Sequence, residues 1–230
     1  VIYSGVGEEF KKLKVKSLKL KVRKKYNLPE KFILYFGTIE PRKNIIGLIK
    51  AFELLKNKNN LSLTTNHLSL VIAGVKGWLY QDIFEHARQI GMQNKIDFLD
   101  FVPDEDLPAL FAACDAFVFP SLCESFGFPM VEAMAYGIPL LVADIDSNME
   151  VAGAGGEAFA AEDAELLARE LERLRNDTDW FRLRAQASLQ QARSFVWTQA
   201  AARTVLLIEE LAGQPRSDAV SLDLFGGGSG

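Results

Sequence analysis

Apolar residues in this chain fall into short unbroken runs, separated by stretches in which they recur every three or four positions. Phe32–Phe36 is one such run, stopped by Gly37. Ile45, Leu48, Ile49, Phe52 and Leu55 follow at helical spacing, with Asn44 placed to cap. Leu68–Ala73 reads as a strand halted by Gly74, Leu79–Ile90 as a helix ending at Gly91, and Ile96–Phe98 as a short strand. Glu105–Ala113 predicts a helix, Ala116–Phe119 a strand, Pro129–Tyr136 a helix closed by Gly137, and Leu140–Ala143 a strand. Beyond Ala161 the pattern becomes almost wholly helical, over Asp163–Arg175, Thr178–Ser194 and Thr198–Leu211. Strands that are apolar throughout, rather than at every second residue, indicate a parallel sheet covered on both faces. The expected fold is therefore α/β, a Rossmann-like doubly wound parallel sheet with a helical C-terminal segment. Ligands of such sheets bind beyond the carboxyl ends of the strands, and residues 37–43 and 121–128 both follow strands directly.

Length and composition narrow the class. At 230 residues the chain has room for one sizeable core, and 49% apolar with 24% charged residues is ordinary for a soluble globular protein. No apolar run approaches the roughly 18 residues of a membrane-spanning helix, and no leading segment resembles a secretory signal. Cys114 and Cys123 suggest reduced thiols in a cytoplasmic protein; their spacing suits no zinc site, and His67 and His86 lie far from both. Nothing calls for nucleic acid. Charge is uneven: residues 1–60 carry a balance of +10 and the remainder −14. Nine basic residues fall between Lys11 and Lys25, interleaved with Leu13, Val15, Leu18, Leu20 and Val22. Such a segment suits peripheral contact with an anionic membrane surface; the plainer alternative is a solvated helix or strand face. The expected organisation is a lead-in over 1–30, a domain over 31–212, and a flexible tail over 213–230 ending in Gly-Gly-Gly-Ser-Gly.

Candidate chemistry concentrates in Glu124-Ser125-Phe126-Gly127-Phe128-Pro129-Met130-Val131-Glu132. Here a polar loop leaves a strand and enters a helix that proline is pre-set to start. Free amides at a helix start bind anions, phosphate above all. Carboxylates beside them are poor phosphate ligands but good acceptors for sugar and ribose hydroxyls. The combination points to a molecule with both groups, a nucleotide sugar. Ser125, Phe126, Gly127 and Phe128 matter mainly through backbone: Gly127 permits close approach and a sharp turn, while the Phe126 and Phe128 rings are expected in the core. Arg42 and Lys43, after the Gly37 turn, suit a diphosphate, arginine as a fork and lysine as a point charge. Asp144-Ile145-Asp146 offers a rival metal-binding D-x-D. No G-x-G-x-x-G follows the first strand and no P-loop motif occurs, which disfavours a nicotinamide dehydrogenase and a P-loop nucleotidase. Trp78, Trp180 and Trp197 are expected to be packing residues.

These stretches resemble the retaining glycosyltransferases of GT-B type, specifically glycosyltransferase family 4. Glu124 and Glu132 match the E-x7-E motif, Glu132-Ala133-Met134-Ala135-Tyr136-Gly137-Ile138-Pro139 the "EAMA-x-G-x-P" run, and Phe195-Val196-Trp197 the late "F-x-W". Gly37-Thr38-Ile39-Glu40-Pro41-Arg42-Lys43-Asn44 is similar to the phosphate loop, and Asp104–Phe111 to the helix before the Glu-bearing strand. The family usually has arginine directly after the glycine, where this chain has Thr38; bacterial members resembling mannosyltransferases carry "GT-x-EPRKN" instead. Val1–Gly7 resembles the crossing from a first Rossmann domain into a second, so the chain is expected to be the donor-binding half of a GT-B fold without its N-terminal domain.

The resemblance implies roles. Gly37, Thr38, Arg42 and Lys43 would hold the diphosphate, with Arg42 and Lys43 stabilising it as it leaves. Glu132 would take the ribose hydroxyls, Glu124 the donor sugar near the breaking bond, and Phe101 and Val102 the base. The donor would be GDP-mannose or a UDP-sugar, no metal would be needed, and a saccharide or lipid-linked acceptor would sit mostly in the other domain. A sugar-nucleotide epimerase fragment and a non-catalytic interaction or membrane-docking module remain as alternatives.

Overall fold

The computed structural model describes residues 2–6, 15–58 and 68–213. Six strands form one sheet, all parallel: β1 (Lys31–Phe36), β2 (Leu68–Ala73), β3 (Ile96–Leu99), β4 (Ala116–Phe119), β5 (Leu140–Ala143) and β6 (Gly156–Phe159), in the order β3-β2-β1-β4-β5-β6. Alternate side chains explain the unbroken apolar runs. Phe32, Leu34, Val71, Phe117, Phe119, Leu140 and Val142 point to one buried layer, while Ile33, Tyr35, Leu70, Ile72, Val118 and Leu141 point to the other. The first layer is covered by α1 (Val15–Lys25), α4 (Leu107–Ala113) and α5 (Phe128–Ala135); the second by α2 (Ile45–Lys58), α3 (Tyr80–Gln89) and α7 (Ala164–Asn176).

Two elements arise between Ala143 and Ala161, where the pattern assigns none. α6 (Asp146–Ala152) is short and largely polar, and β6, with the sequence GEAF, is an edge strand only partly buried. Both escape a periodicity reading because neither presents an apolar face of sufficient length. The C-terminal helices form as expected. Asp163 caps α7 by accepting from the Leu166 amide at 2.7 Å, and Asp177 caps α8 (Thr178–Ala192) by accepting from the Trp180 amide at 2.9 Å. α8 closes on α5, and the chain then turns through Phe195, whose carbonyl accepts from the Val6 amide at 3.1 Å, into α9 (Trp197–Leu211).

The basic segment settles as helix. Val22 of α1 joins the core and Leu18 packs against it, over α4, so the apolar side faces the protein itself. Arg23 donates to the Ala113 carbonyl at 2.8 Å, and Lys25 pairs with Asp106. The packed body therefore begins before residue 31. Residues 7–14, residues 59–67 with His67, and the tail from residue 214 lie outside the described residues. Among those described, no helix is long and apolar enough to cross a membrane.

Three aromatic expectations are corrected. Trp180 is buried, but Trp78 is 61% exposed and Trp197 49%, and Phe128 also lies largely in the open. Trp78 sits in the β2–α3 connection before any helix has formed, and Trp197 and Phe128 begin helices and are covered only in part, Trp197 by Gly5 and Phe128 by the Phe126 ring.

The connections after β1 and β2 approach at backbone distance. Gly74 adopts φ +142°, and a Cβ there would lie 2.0 Å from the Gly37 carbonyl oxygen. Gly74→Ala is therefore expected to cost about 2–4 kcal/mol. Gly91→Ala, also left-handed but facing open space, is expected to cost about 1 kcal/mol. Urea unfolding of the two variants measures the difference.

Candidate active site

The strand order reverses between β1 and β4, and a doubly wound sheet opens a crevice beyond the carboxyl ends of the strands at such a point. The two connections that flank it are residues 37–44 and 120–127. The first is fastened from below and from the side. Tyr35, fully buried under Gly37, donates its hydroxyl to the Thr38 carbonyl at 3.0 Å. Burial first, and then the nearby Glu124 and Glu40 carboxylates, push the Tyr35 pKa well up, so the phenol remains a donor. Ile39 donates to the Val75 carbonyl at 2.8 Å and accepts from the Gly77 amide at 2.9 Å. Pro41, Arg42 and Lys43 then make one tight 3₁₀ turn, and Asn44, left-handed at φ +51°, sends its side-chain amide to the Ala161 carbonyl at 2.7 Å.

The second connection is stitched to the first. The Leu122 amide donates to the Arg42 carbonyl at 2.9 Å, and Arg42 Nη1 donates to the Cys123 carbonyl at 3.3 Å. Gly127, at φ +84°, is the residue from which α5 starts. A side chain there would meet Met130 Cε at 2.5 Å and the Phe119 ring at 3.1 Å, so glycine is required on both counts. Pro129 falls in the first turn, as its fixed φ favours. The start of α5, with amide groups lacking helical partners, thus stands beside the crevice. Ser125 is exposed; Phe126 is half-buried among Tyr3, Phe128 and Phe195.

The charges are arranged as two ion pairs. Lys43 Nζ pairs with Glu124 Oε1, both side chains being nearly buried at 10% and 9% exposure, and the ammonium lies 5.9 Å from the centre of the Phe119 ring. Arg42, whose side chain is half open, pairs through Nε with Glu40. Glu132 is the fifth residue of α5 and is half-buried. Arg42, Lys43, Glu124 and Gly127 are thus brought to one crevice. Phe101 and Val102 follow β3, two strands away from β1; Val102 is in the core, and Phe101 is exposed. A Lys76–Asp100 pair at 2.9 Å and an isolated bridge from Lys76 to Ile39 connect that region to the connection after β1. Asp144 Oδ1 accepts from the Ala161 amide at 3.3 Å, and Asp146 opens α6; among the described residues no group of three or more metal-ligating side chains is assembled.

Glu40 and Tyr35 are site residues that the motifs do not single out. A faint signal exists for each: Tyr35 is the one hydroxyl-bearing residue inside the otherwise apolar Phe32–Phe36 run, and Glu40 is the acid within the "GTIEPRKN" stretch. A cavity of about 510 Å³ lies elsewhere, lined by Lys31, Leu68, Asp115 and Ala116 at the amino ends of strands. That is the edge opposite the crevice, and it gathers no comparable set of charges.

Burying Lys43 and Glu124 together makes each depend on the other. Lys43→Met leaves an uncompensated carboxylate and is expected to cost about 3–5 kcal/mol, most of it restored by adding Glu124→Gln. Chemical denaturation of both single variants and the double variant measures the coupling.

Comparison with known proteins supplies the lineage. The "Glycosyl transferases group 1" family model matches residues 19–192. The chain is 34% identical over 187 residues to O-antigen chain mannosyltransferase B of Escherichia coli, covering 81% of this chain and 48% of that protein. It is 35% identical over 202 residues to the serotype-specific mannosyltransferase WbdA of Escherichia coli, covering 87% of this chain and 24% of that one. The chain thus spans half or less of the length of these relatives. In fold it superposes on Anabaena HepE, solved in complex with UDP and glucose, with a TM-score of 0.76 at 24% identity, covering 93% of this chain and 56% of HepE. With the family's model running through the whole of the parallel sheet and two relatives above 30% identity, this chain belongs to the group 1 glycosyltransferases.

Proposed function

We propose that the crevice between the β1 and β4 connections binds a nucleoside diphosphate sugar. On this reading the longer protein transfers a hexose, mannose in the first instance, to an acceptor hydroxyl with retention of the anomeric configuration. The observation that carries this reading is the convergence of Arg42, Lys43, Glu124 and the start of α5 where the strand order reverses. A departing diphosphate gathers negative charge in the transition state, and fixed cations and amides aimed at it lower the barrier. Arg42, Lys43 and the α5 amides fill that role without a resident metal. Glu132 takes the ribose hydroxyls, Glu124 the donor sugar, and Phe101 flanks the base. The mannosyltransferase relatives favour GDP-mannose as donor, and the UDP and glucose bound by Anabaena HepE make a UDP-sugar the next choice.

The acceptor, a saccharide or a lipid-linked one, meets the donor largely on the portion of the relatives that this chain does not span. Nucleotide binding without appreciable transfer is therefore expected of these 230 residues. The reading places the chain in the cytoplasm. The outward lysines of α1, Lys21 and Lys24, are available to the inner face of the membrane, while the apolar side of that helix is already occupied by α4.

Calorimetric titration with GDP, UDP, GDP-mannose and UDP-glucose tests the reading. Saturable binding is expected, unaffected by a chelator. Arg42→Ala and Glu132→Ala each remove a charge-assisted hydrogen bond and are expected to weaken it by about ten- to a hundredfold. Unchanged affinity in both variants would reject the site.

A further inference from the structure

Glu40 combines two properties that sit uneasily in a site for a polyanion. It is an acid beside a cation meant for phosphate, and it is enclosed, only 8% exposed. Glu40 Oε1 lies against Arg42 Nε, so the Arg42 guanidinium is what compensates its charge. A carboxylate held away from water without such a partner is strongly disfavoured. The backbone beneath it is immobilised: Ile39 is bonded in both directions to the β2 connection, the Lys43 amide donates to the Glu40 carbonyl at 3.1 Å, and Gly77 leaves room for the Glu40 side chain where a Cβ would come within 3.2 Å of it. Glu40 is thus a fixed post and not a wandering counterion.

Arg42 is held against this post at Nε and against the Cys123 carbonyl, at 3.3 Å, through Nη1. Two of its nitrogens are thereby engaged by the protein, and the N–H groups on Nη2 are left to a ligand. An unrestrained arginine loses considerable rotamer freedom when it grips an anion, and a side chain aligned beforehand loses less. The opposing effect is electrostatic, because a carboxylate near the phosphates repels them. Burial of Glu40 with its charge directed at Nε, away from the open edge of the guanidinium, favours alignment over repulsion.

We infer that Glu40 is a positioning residue that orients Arg42 for the donor diphosphate, an inference that rests on the crevice binding a nucleoside diphosphate. The two ideas differ in the sign and the dependence of one measurement. GDP affinity is titrated for the 230-residue chain and for Glu40→Ala, Glu40→Gln, Arg42→Ala and the Glu40→Ala/Arg42→Ala pair, with thermal melts alongside. Glu40→Ala is expected to weaken GDP about tenfold and Glu40→Gln, which keeps a neutral acceptor at Nε, about threefold; in the Arg42→Ala background the Glu40 change has no further effect. If the alanine variant does not fold, the glutamine variant carries the same cycle. Affinity unchanged or tighter on losing the Glu40 charge overturns the inference, as does an equal loss with and without Arg42, which would mark Glu40 as merely structural. A chain that binds no GDP, or an Arg42→Ala variant that binds like the parent, removes the diphosphate site and the inference with it.

Discussion

Strands β1 and β4 are neighbours in the sheet although β2, β3 and three helices separate them along the chain. Both are enclosed on their two faces, so their apolar side chains anchor the two halves of the sheet to one another. At this junction the chain leaves β1 toward one edge and β4 toward the other, and no helix can fill the space directly above. What occupies it instead is polar backbone from residues 37–44 and 120–127, cross-bonded at Arg42, Leu122 and Cys123. The rest of the candidate site follows from that constraint. The Pro41–Lys43 turn has nowhere to face but the crevice, and Gly127 must turn left-handed to start α5 beside it.

Electrostatically the crevice is quieter than a pair of adjacent cations suggests. Arg42 and Lys43 each have an acid of the same chain against them, and the Lys43–Glu124 pair is nearly shut off from water. In such surroundings a bare ammonium would be costly, and Glu124 answers its charge from within the protein. Arg42 is the more open of the two and is held at two of its nitrogens. The two cations thus differ in setting: Arg42 is half open, and Lys43 is sheltered where fields are weakly screened.

Much of this architecture is written locally. Unbroken apolar runs report strands buried on both faces, and they were legible for β1, β2, β4 and β5 because those strands are interior to the sheet. β6 is half-covered and contains glycine, and α6 is a polar helix of seven residues, so neither carries a period to read. The loop-to-helix junction at Gly127 and Pro129 is also local, since φ preference and a missing amide dictate it. Pairing between distant charges is not. Lys43 and Glu124 lie 81 positions apart, and no pattern near either announces the partner. Exposure of Trp78 and Trp197 was hidden for the same reason: a large ring argues for burial, but whether anything covers it depends on the surroundings of a loop or helix end.

The burial of Lys43 against Glu124 also bears on how this crevice can change over generations. A lineage that replaces either residue alone passes through a protein with an unanswered charge inside it, a state selection tends to remove. Exchange of both together, or of neither, is the accessible route.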